Sequence, residues 1–478
     1  MFTRYFAAAL LASAVLAAPA EDVMMDLPDA PAFTSAMYSG YLTVSDTKQL
    51  HYVFAESYSA PATDPIIIWF NGGPGCSSML GLMQENGPVV VDDGSTTFFT
   101  NPYPWNTRAN VLWIESPAGV GWSIAETAAD LQQNDMTQSE DALAALKAWY
   151  VKFPEYSANQ LFVSGESYAG IYVPYLSWQI YQNNKYADMG FPNAVNMNLQ
   201  GFMVGNGATK WEYDVEPSFP DTVVNFNVVD PVTYNNFVAN DCHYYFYPGY
   251  SSQIQTPTCD ALWAKMNNQT KDLNWYDLYR PVYDGGLSPD PSKKLTSGNR
   301  KGYTQINGEL KSYRRGYTMQ EYTPWAKHLR VSGEEPPILG DYLTDYMNRQ
   351  DVREAFNIPS SVQTWEMCSE TLQYHEQHEG SYWIYGVLKD KYRMMFYSGD
   401  TDGAVPTYGS KRWIKDLNWA VTEEWRPWYT DSQVSGYMQA YDGGLDFVTV
   451  KGVGHMAPQW ARQPVTDMIT AWVWNQPF

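Results

Sequence analysis

Short apolar runs alternate with amphipathic stretches along most of the chain. A run of four to seven apolar residues between polar segments is typical of a buried strand. The runs that fit this pattern are residues 39–44, 51–55, 66–70, 111–114, 161–164, 199–204, 394–398 and 447–450. Residues 135–150 and 171–178 instead have the apolar spacing of helices. This succession predicts an α/β protein with a mixed, mostly parallel central sheet flanked by helices.

The periodic pattern is interrupted once, after residue 206, and returns at residue 342, where residues 346–356 predict a helix. We therefore expect a core of residues 21–206 and 342–478, with residues 207–341 inserted as a lid domain over the active site. Within this insertion, residues 293–330 hold nine of the 30 Lys and Arg residues. They predict a solvated basic loop, and proteolytic processing of that loop is the alternative.

The N-terminus has the pattern of a targeting segment. Arg4 precedes an apolar, alanine-rich run that leads to small residues at 17–20. This pattern predicts a signal peptide over residues 1–20, too short to span a bilayer. With no second apolar span in the sequence, we expect a protein of the secretory pathway, secreted or in the lumen of a lysosome or vacuole.

The amino-acid composition indicates which classes of binding partner to expect. The 478 residues are 45% hydrophobic, enough for one large catalytic core. There are 52 acidic and 30 basic residues, giving a net charge of −22. Nucleic acids and anionic membranes both require a basic face, so neither is expected as a partner.

The most informative motif is Gly-Glu-Ser-Tyr-Ala-Gly at residues 165–170. It lies between the apolar run 161–164 and the helical stretch 171–178, where a sharp turn would expose the hydroxyl of Ser167. A serine between small residues at a strand–turn–helix junction is the nucleophile pattern of serine hydrolases. Ala169 stands where that pattern usually has glycine, and its small side chain meets the same requirement.

A serine nucleophile requires a histidine base and a carboxylate that orients the histidine. The sequence has six histidines, and His455 lies in a glycine-rich loop directly after the candidate strand 447–450. Asp400 and Asp402 lie in a loop after the candidate strand 394–398. The order serine, acid, histidine is that of α/β-hydrolases, but the residues alone do not decide between the two aspartates.

A second glycine-rich loop follows the candidate strand 66–70, with Asn-Gly-Gly-Pro-Gly-Cys-Ser-Ser at residues 71–78. Glycines allow the backbone to approach a ligand and present an amide to it. We expect the amides of Gly73 and Tyr168 to form an oxyanion hole. The alternative is that the glycines only form a tight turn.

Together these motifs resemble the serine carboxypeptidases. The matching segments are residues 69–78, 115–123, 165–170, 205–207, 397–402 and 454–456, in the family's order. The resemblance implies an α/β-hydrolase fold and release of single amino acids from peptide C-termini at acidic pH without a cofactor. It also implies that Asp402, rather than Asp400, completes a triad with Ser167 and His455.

The resemblance further implies how a C-terminal carboxylate is bound. Asn71, Gly72, Glu85 and Glu166 match the residues with which the family holds this group. Two glutamates can face a carboxylate only if protons are shared among them, since like charges in contact raise the pKa of at least one. Met456 matches a position that lines the pocket for the departing residue, where it favours apolar side chains.

Four cysteines in a secreted chain suggest two disulfides, with three possible pairings. Cys242 and Cys259 are close in sequence, which favours a local disulfide and leaves Cys76 with Cys368. Family members likewise pair the cysteine of the glycine loop with a distant one. Asn268 begins an Asn-Gln-Thr glycosylation sequon.

Two histidines, His375 and His378, are three residues apart rather than four, so they do not form the zinc-protease pattern, and no metal site is expected. Two alternatives to the peptidase remain within the same fold. One is an acyltransferase, which passes the acyl group to an alcohol; the other is a protective, non-catalytic subunit. Family members occur as monomers and homodimers, so either state is open.

Overall fold

A large mixed sheet forms the centre of the protein. The computed structural model describes residues 18–92, 95–242, 256–271, 273–280 and 342–478, and the backbone of residues 304–306 and 309–311. The strands in these ranges are β1 Met37–Thr43, β2 Lys48–Ala55, β3 Ile66–Phe70, β4 Val89–Val91, β5 Phe98–Thr100, β6 Asn110–Ile114, β7 Ile124–Ala125, β8 Gln132–Asn134, β9 Leu161–Glu166, β10 Leu199–Gly205, β11 Thr304–Ile306, β12 Glu309–Lys311, β13 Gln373–His375, β14 Arg393–Gly399, β15 Val421–Thr430, β16 Gln433–Tyr441 and β17 Leu445–Val450.

Within the described ranges, eleven of these strands form one sheet in the order β1-β2-β6-β3-β9-β10-β14-β17-β16-β15, with β7 paired to β2. The six strands from β6 to β17 run parallel to their neighbours, and the outer strands are antiparallel. Every residue of β3, β6 and β9 is buried. Helices cover both faces of such parallel strands, which explains their continuous apolar runs.

The helices in the described ranges are α1 Asp135–Lys152, α2 Ala169–Asp188, α3 Phe219–Asn225, α4 Pro231–Ala239, α5 Pro257–Thr270, α6 Tyr342–Met347, α7 Gln350–Ala355, α8 Tyr382–Leu388, α9 Thr407–Asp416, α10 Ala457–Trp460 and α11 Arg462–Val473. Shorter helical turns are Ala20–Asp22, Gly81–Glu85, Trp105–Thr107, Pro154–Tyr156, Glu216–Ser218 and Asp442–Gly444. Asn134 begins α1 with a capping box, since its side chain accepts the N–H groups of Met136 and Thr137. α2 packs against β9 and β10, and Trp472 of α11 packs against Phe162.

The parallel strands direct the polar motifs to one edge of the sheet. β3, β9, β10, β14 and β17 end at Phe70, Glu166, Gly205, Gly399 and Val450. The glycine loop, Ser167, Asn206, the Asp402 loop and the His455 loop therefore leave the sheet at the same edge. The carboxyl edge of parallel strands is where α/β proteins bind ligands.

The predicted strands and the helix predicted over residues 135–150 agree with these bounds to within three residues at each end. The helix predicted over residues 171–178 is longer than expected, because α2 continues to Asp188. The helix predicted over residues 346–356 is wrong, because the chain there forms two helices, α6 and α7. Arg349 adopts an extended conformation with φ −63° and ψ 140°. Its neighbour Asn348 accepts the Trp365 N–H and donates to the carbonyl oxygen of Trp365, so a partner outside the helix fixes the break.

Both predicted disulfides are present, joining Cys76 to Cys368 and Cys242 to Cys259. Asn268 lies exposed near the end of α5, and its glycosylation stays a prediction. Residues 1–17 of the predicted signal peptide (residues 1–20) lie outside the described residues, as does most of the basic loop 293–330, so both stay predictions. Within the described part of the chain, no helix is long and apolar enough to cross a membrane.

Candidate active site

Ser167 occupies a strained turn between β9 and α2. Its φ of 64° lies in the left-handed region that non-glycine residues rarely adopt. The turn is fixed by two backbone hydrogen bonds, from Ser167 N to the carbonyl oxygen of Gly205 at 3.0 Å and from Ala208 N to the carbonyl oxygen of Ser167 at 3.0 Å. This is the strand–turn–helix geometry predicted from the motif at residues 165–170.

The glycine loop lies directly against this turn. A Cβ atom on Gly72 would stand 2.3 Å from the Tyr168 amide nitrogen and 2.8 Å from the Ser167 Cβ, so only glycine fits there. Gly73, the next residue, has φ 117°, which also favours glycine. Gly73 and Tyr168, the expected oxyanion donors, therefore belong to two segments in direct contact.

The acid and the histidine lie on neighbouring loops beyond β14 and β17. His455 Nδ1 is 2.7 Å from Asp402 Oδ2, and both side chains are buried. Asp402 Oδ1 accepts the Ala404 N–H at 2.7 Å. Asp400, the alternative that the sequence left open, instead accepts the Gly452 N–H through its Oδ1.

His455 Nε2 is buried, and no residue of the described ranges forms a hydrogen bond with it. Nδ1 faces Asp402, so the opposite ring nitrogen is the one available to a serine hydroxyl or a leaving group. Ser167 and His455 thus share one cleft, and Asp402 is bonded to the far side of the His455 ring. A serine, a histidine and a carboxylate are the three groups that nucleophilic catalysis uses.

A buried cluster of Asn71, Glu85 and Glu166 lies in the same cleft. The Asn71 Nδ2 group donates to Glu85 Oε1 at 3.0 Å and to Glu166 Oε1 at 3.2 Å. The Asn71 Oδ1 atom accepts from Trp69 Nε1 and Gly81 N at 2.8 and 2.9 Å. These two donors fix the amide orientation, so that the Asn71 NH₂ group must face the glutamates.

Burial raises the pKa of Glu166 well above its ordinary value, and the charge of the adjacent Glu85 raises it further. Burial also raises the pKa of Glu85, against the opposing hydrogen bonds from Asn71 and Glu166. Among the described residues, no N–H or hydroxyl group donates to the Oε2 atom of either glutamate. The pair therefore retains a proton at a pH where an exposed glutamate has lost it.

The cleft opens to solvent and contains about 470 Å³ of space, open solvent included. Eight of the predicted site residues line it: Asn71, Gly72, Gly73, Glu85, Glu166, Ser167, His455 and Met456. Leu80 and Cys76 add apolar surface, and Gln84 and Gln459 add polar groups. Asp402 and the Tyr168 side chain lie behind this lining, where they support residues that face the cleft.

The sequence analysis did not predict Tyr276 and Asp277, which lie within residues 207–341, the segment predicted to be an insertion. The Tyr276 carbonyl oxygen accepts the His455 N–H at 2.7 Å. Asp277 accepts the Gly454 N–H at 3.1 Å and the Thr401 hydroxyl at 2.8 Å. The pattern around residues 274–278 has no periodicity or motif that would have singled these residues out.

The sequence analysis also did not predict the hydrogen bond between Asn206 and Asp402, the candidate triad acid. Asn206 Nδ2 donates to Asp402 Oδ2 at 2.8 Å, and Gly399 N donates to Asn206 Oδ1 at 3.0 Å. The residue has φ 43°, which asparagine tolerates better than most residues. An asparagine between two glycines after a buried strand was the available signal.

His375 ends the short strand β13, and His378 lies in the loop that follows. Across the described residues, no group of three or more His, Cys, Asp or Glu side chains is arranged to hold a metal ion.

The parallel sheet with Ser167, Asp402 and His455 beyond its strands defines an α/β-hydrolase. The family model described as serine carboxypeptidase matches residues 28–475, and the chain belongs to this family. It is 32% identical to serine carboxypeptidase-like 20 of Arabidopsis thaliana, over 91% of this chain and 89% of the relative. It is also 32% identical to the lysosomal protective protein of Mus musculus, over 97% and 95%.

Serine carboxypeptidase 1 of Hordeum vulgare is 30% identical over 92% of this chain and 90% of its own. Among solved structures, Kex1, a prohormone-processing carboxypeptidase from Saccharomyces cerevisiae, aligns with a TM-score of 0.69 over 95% of each chain. At 18% sequence identity this likeness supports the fold alone.

Proposed function

We propose that this protein is a serine-type carboxypeptidase that releases single C-terminal amino acids from peptides at acidic pH. One observation carries the proposal: Ser167, His455 and the Asn71–Glu85–Glu166 cluster line a single cleft. A nucleophile with its base explains acyl transfer. A carboxylate-binding cluster beside the nucleophile explains why only the terminal residue would be removed.

In the proposed mechanism, His455 Nε2 accepts the Ser167 proton as the hydroxyl oxygen attacks the scissile carbonyl carbon. Asp402 holds Nδ1 at 2.7 Å, which fixes the ring orientation and stabilises the imidazolium. The amides of Gly73 and Tyr168 stabilise the oxyanion, and each such donor typically lowers the barrier by about 3 kcal/mol. His455 then protonates the departing amine, and water hydrolyses the acyl-enzyme.

The substrate carboxylate is proposed to bind the Asn71 amide, the Gly72 backbone and the glutamate pair. The raised pKa values of Glu85 and Glu166 support this role, because a protonated carboxyl donates a hydrogen bond to a carboxylate instead of repelling it. Met456 and Leu80 supply apolar surface for the departing side chain. The substrate class is therefore peptide and protein C-termini.

The test offers the purified protein an N-blocked dipeptide and the corresponding C-terminal amide at about pH 5, where the shared carboxyl proton is retained. Ser167→Ala is the matched inactive variant. We expect release of the last amino acid from the free acid, much less from the amide, and none by the variant. Equal rates for acid and amide would contradict the carboxylate-binding role.

The same purified protein can be used to test the two alternatives, an acyltransferase and a protective, non-catalytic subunit. An acyltransferase would consume an activated ester only when an alcohol acceptor is added, while leaving the dipeptide intact. A protective subunit would retain its partner in the Ser167→Ala variant and hydrolyse nothing. We further propose a location in the secretory pathway, either secreted or in a lysosome or vacuole; its state as monomer or homodimer stays a prediction.

A further inference from the structure

A buried carboxylate beneath the active site has no place in the proposed mechanism. Asp135, the first residue of α1, is fully buried. Its Oδ1 atom accepts the hydroxyls of Tyr168 at 2.8 Å and Tyr374 at 2.9 Å, and its Oδ2 atom accepts the Gln377 N–H at 2.7 Å. Burying a carboxylate is costly unless it is hydrogen-bonded. The three donors that bond to Asp135 therefore indicate that its position and orientation are defined, and that it does more than occupy space in the core.

The tyrosines that surround Asp135 are packed against one another. The ring centroids of Tyr168 and Tyr172 are 5.3 Å apart, those of Tyr168 and Tyr374 are 5.5 Å apart, and those of Tyr172 and Tyr374 are 6.1 Å apart. All three side chains are buried. We call these three residues the tyrosine cluster. Each ring thus contacts the other two, and Asp135 accepts two of the three hydroxyls, so the carboxylate and the rings form one connected unit.

The tyrosine cluster touches both segments that carry the proposed oxyanion donors. Tyr168 follows Ser167 directly, and its own amide is one donor. The Tyr172 hydroxyl accepts the Gly75 N–H at 3.3 Å, two residues after Gly73 in the glycine loop. One connected unit thus contacts the nucleophile turn on one side and the glycine loop on the other.

We propose that Asp135 and the tyrosine cluster form a positioning unit that fixes the separation between the Gly73 and Tyr168 amides. The proposal rests on the oxyanion role assigned to these amides above. An oxyanion forms only in the transition state, so loosening its donors raises the barrier without weakening substrate binding. A role in packing alone would instead change stability and leave turnover per folded molecule unaltered.

Two hydroxyl deletions test the proposal. Tyr168→Phe and Tyr374→Phe each remove one hydrogen bond to Asp135 while keeping the ring. Tyr156→Phe is the matched control, because the buried Tyr156 also donates to a carboxylate, Glu56, at 2.9 Å and does not line the cleft. The measurements are kcat and KM for the N-blocked dipeptide, the rate at which a fluorophosphonate phosphonylates Ser167, and thermal unfolding.

Loss of a whole oxyanion donor costs about 100- to 1,000-fold in kcat, so displacement of a donor should cost about tenfold. We expect a fall of that size in kcat and in the phosphonylation rate for both variants, with KM changed less than twofold. The double variant should lose less than the product of the two falls, because both hydroxyls act through Asp135. Tyr156→Phe should retain the wild-type kcat.

The proposal is overturned if both variants keep kcat and the phosphonylation rate within twofold of wild type. A fall of the same size in Tyr156→Phe would overturn it too, by attributing the loss to stability. If wild type releases no amino acid, the proposed function fails, but the phosphonylation rates still decide the role of the tyrosine cluster. A Ser167 that does not react with the fluorophosphonate overturns both proposals.

Discussion

The carbonyl oxygen of Tyr276 accepts the backbone N–H of His455 at 2.7 Å, and the two rings pack edge to face with centroids 5.0 Å apart. Tyr276 lies in the segment predicted to be an insertion, residues 207–341, and His455 lies in the segment predicted to be the second part of the core, residues 342–478. The neighbouring residues of the insertion add contacts to the Asp402 loop, where Gly403 N donates to the Trp275 carbonyl oxygen and Leu278 N to that of Thr401. Residues 275–278 therefore contact both loops that carry Asp402 and His455, and Tyr276 also lines the cleft.

We expect Asp277→Asn to lower kcat about tenfold with little change in KM. Asp277 Oδ1 accepts the Thr401 hydroxyl and the Tyr279 N–H, and its Oδ2 accepts the Gly454 N–H. An asparagine that keeps its oxygen at the Oδ1 position turns its NH₂ group toward the Gly454 N–H, at a cost of about 1–3 kcal/mol. Steady-state kinetics on the N-blocked dipeptide measures the effect.

Asp230→Asn, in the same insertion, is the control because Asp230 begins α4 and asparagine is an equally good residue at that position. Wild-type turnover in Asp277→Asn would show that the loops keep their positions without this contact.

The Glu85–Glu166 pair predicts a KM that rises with pH. The pKa of Glu166 is raised by burial and by Glu85, so the proton is present at acidic pH and is lost as the pH rises through that raised value. Its loss leaves two carboxylates facing the substrate carboxylate. Glu166→Gln cannot lose a proton, so its KM should vary much less with pH.

The measurement is KM from about pH 4 to pH 8 for wild type and for Glu166→Gln. The dipeptide amide serves as the control substrate, because it has no carboxylate to be repelled. The same steep rise of KM in the variant and in wild type would refute the role of the pair.

Because of Asp214, we expect the free energy of unfolding to decrease as the pH rises. It is fully buried, and burial raises its pKa from 3.8 to about 7, although the amides of Thr209 and Lys210 favour the charged form. Above 3.8 the unfolded chain gives up the proton while the folded chain holds it, so stability falls until the pH passes about 7. The difference amounts to about 4 kcal/mol at most.

Urea unfolding between about pH 4 and pH 8 measures this dependence. Asp214→Asn should lack this contribution, so its stability relative to wild type should increase over that interval. Asp230 is the contrasting control: hydrogen bonds from Thr233 and Gln269 lower its pKa from 3.8, so its contribution is lost only at more acidic pH and should stay nearly constant over this interval. A constant difference between Asp214→Asn and wild type across the interval would contradict the prediction.

The elements that carry the site could be predicted because their signals are local. β3, β9 and β14 are buried on both faces, so their apolar runs stand out from the polar loops that follow them. Ser167 could be placed for the same reason, since small residues and a strand–helix junction define its turn.

The contacts that support the site could not be predicted in this way. Tyr276 and Asp277 act through contacts with residues more than 120 positions away, and nothing in their own neighbourhood reports those partners. The choice between Asp400 and Asp402 likewise depended on which carboxylate reaches the histidine, and the residues alone left it open. The break between α6 and α7 depends on Trp365, which lies outside both helices.

Asn206 is expected to be required for full turnover. Its Nδ2 group and His455 Nδ1 both bond to the same oxygen, Oδ2 of Asp402, at 2.8 and 2.7 Å. Asn206 therefore fixes the acid in the orientation that the histidine requires. We expect Asn206→Ser to lower kcat about tenfold with KM nearly unchanged, because the buried carboxylate loses one of its donors.

Asn206→Asp should lower kcat more than Asn206→Ser does. This is expected although aspartate is nearly isosteric with asparagine and also tolerates φ 43°. A second carboxylate beside Asp402 raises the pKa of the pair, and a shared proton competes with the bond to His455. The control is Asn418→Asp, since Asn418 has φ 52° but is exposed and does not line the cleft. If Asn206→Asp retained more kcat than Asn206→Ser, the hydrogen bond to Asp402 Oδ2 would not be what orients the acid.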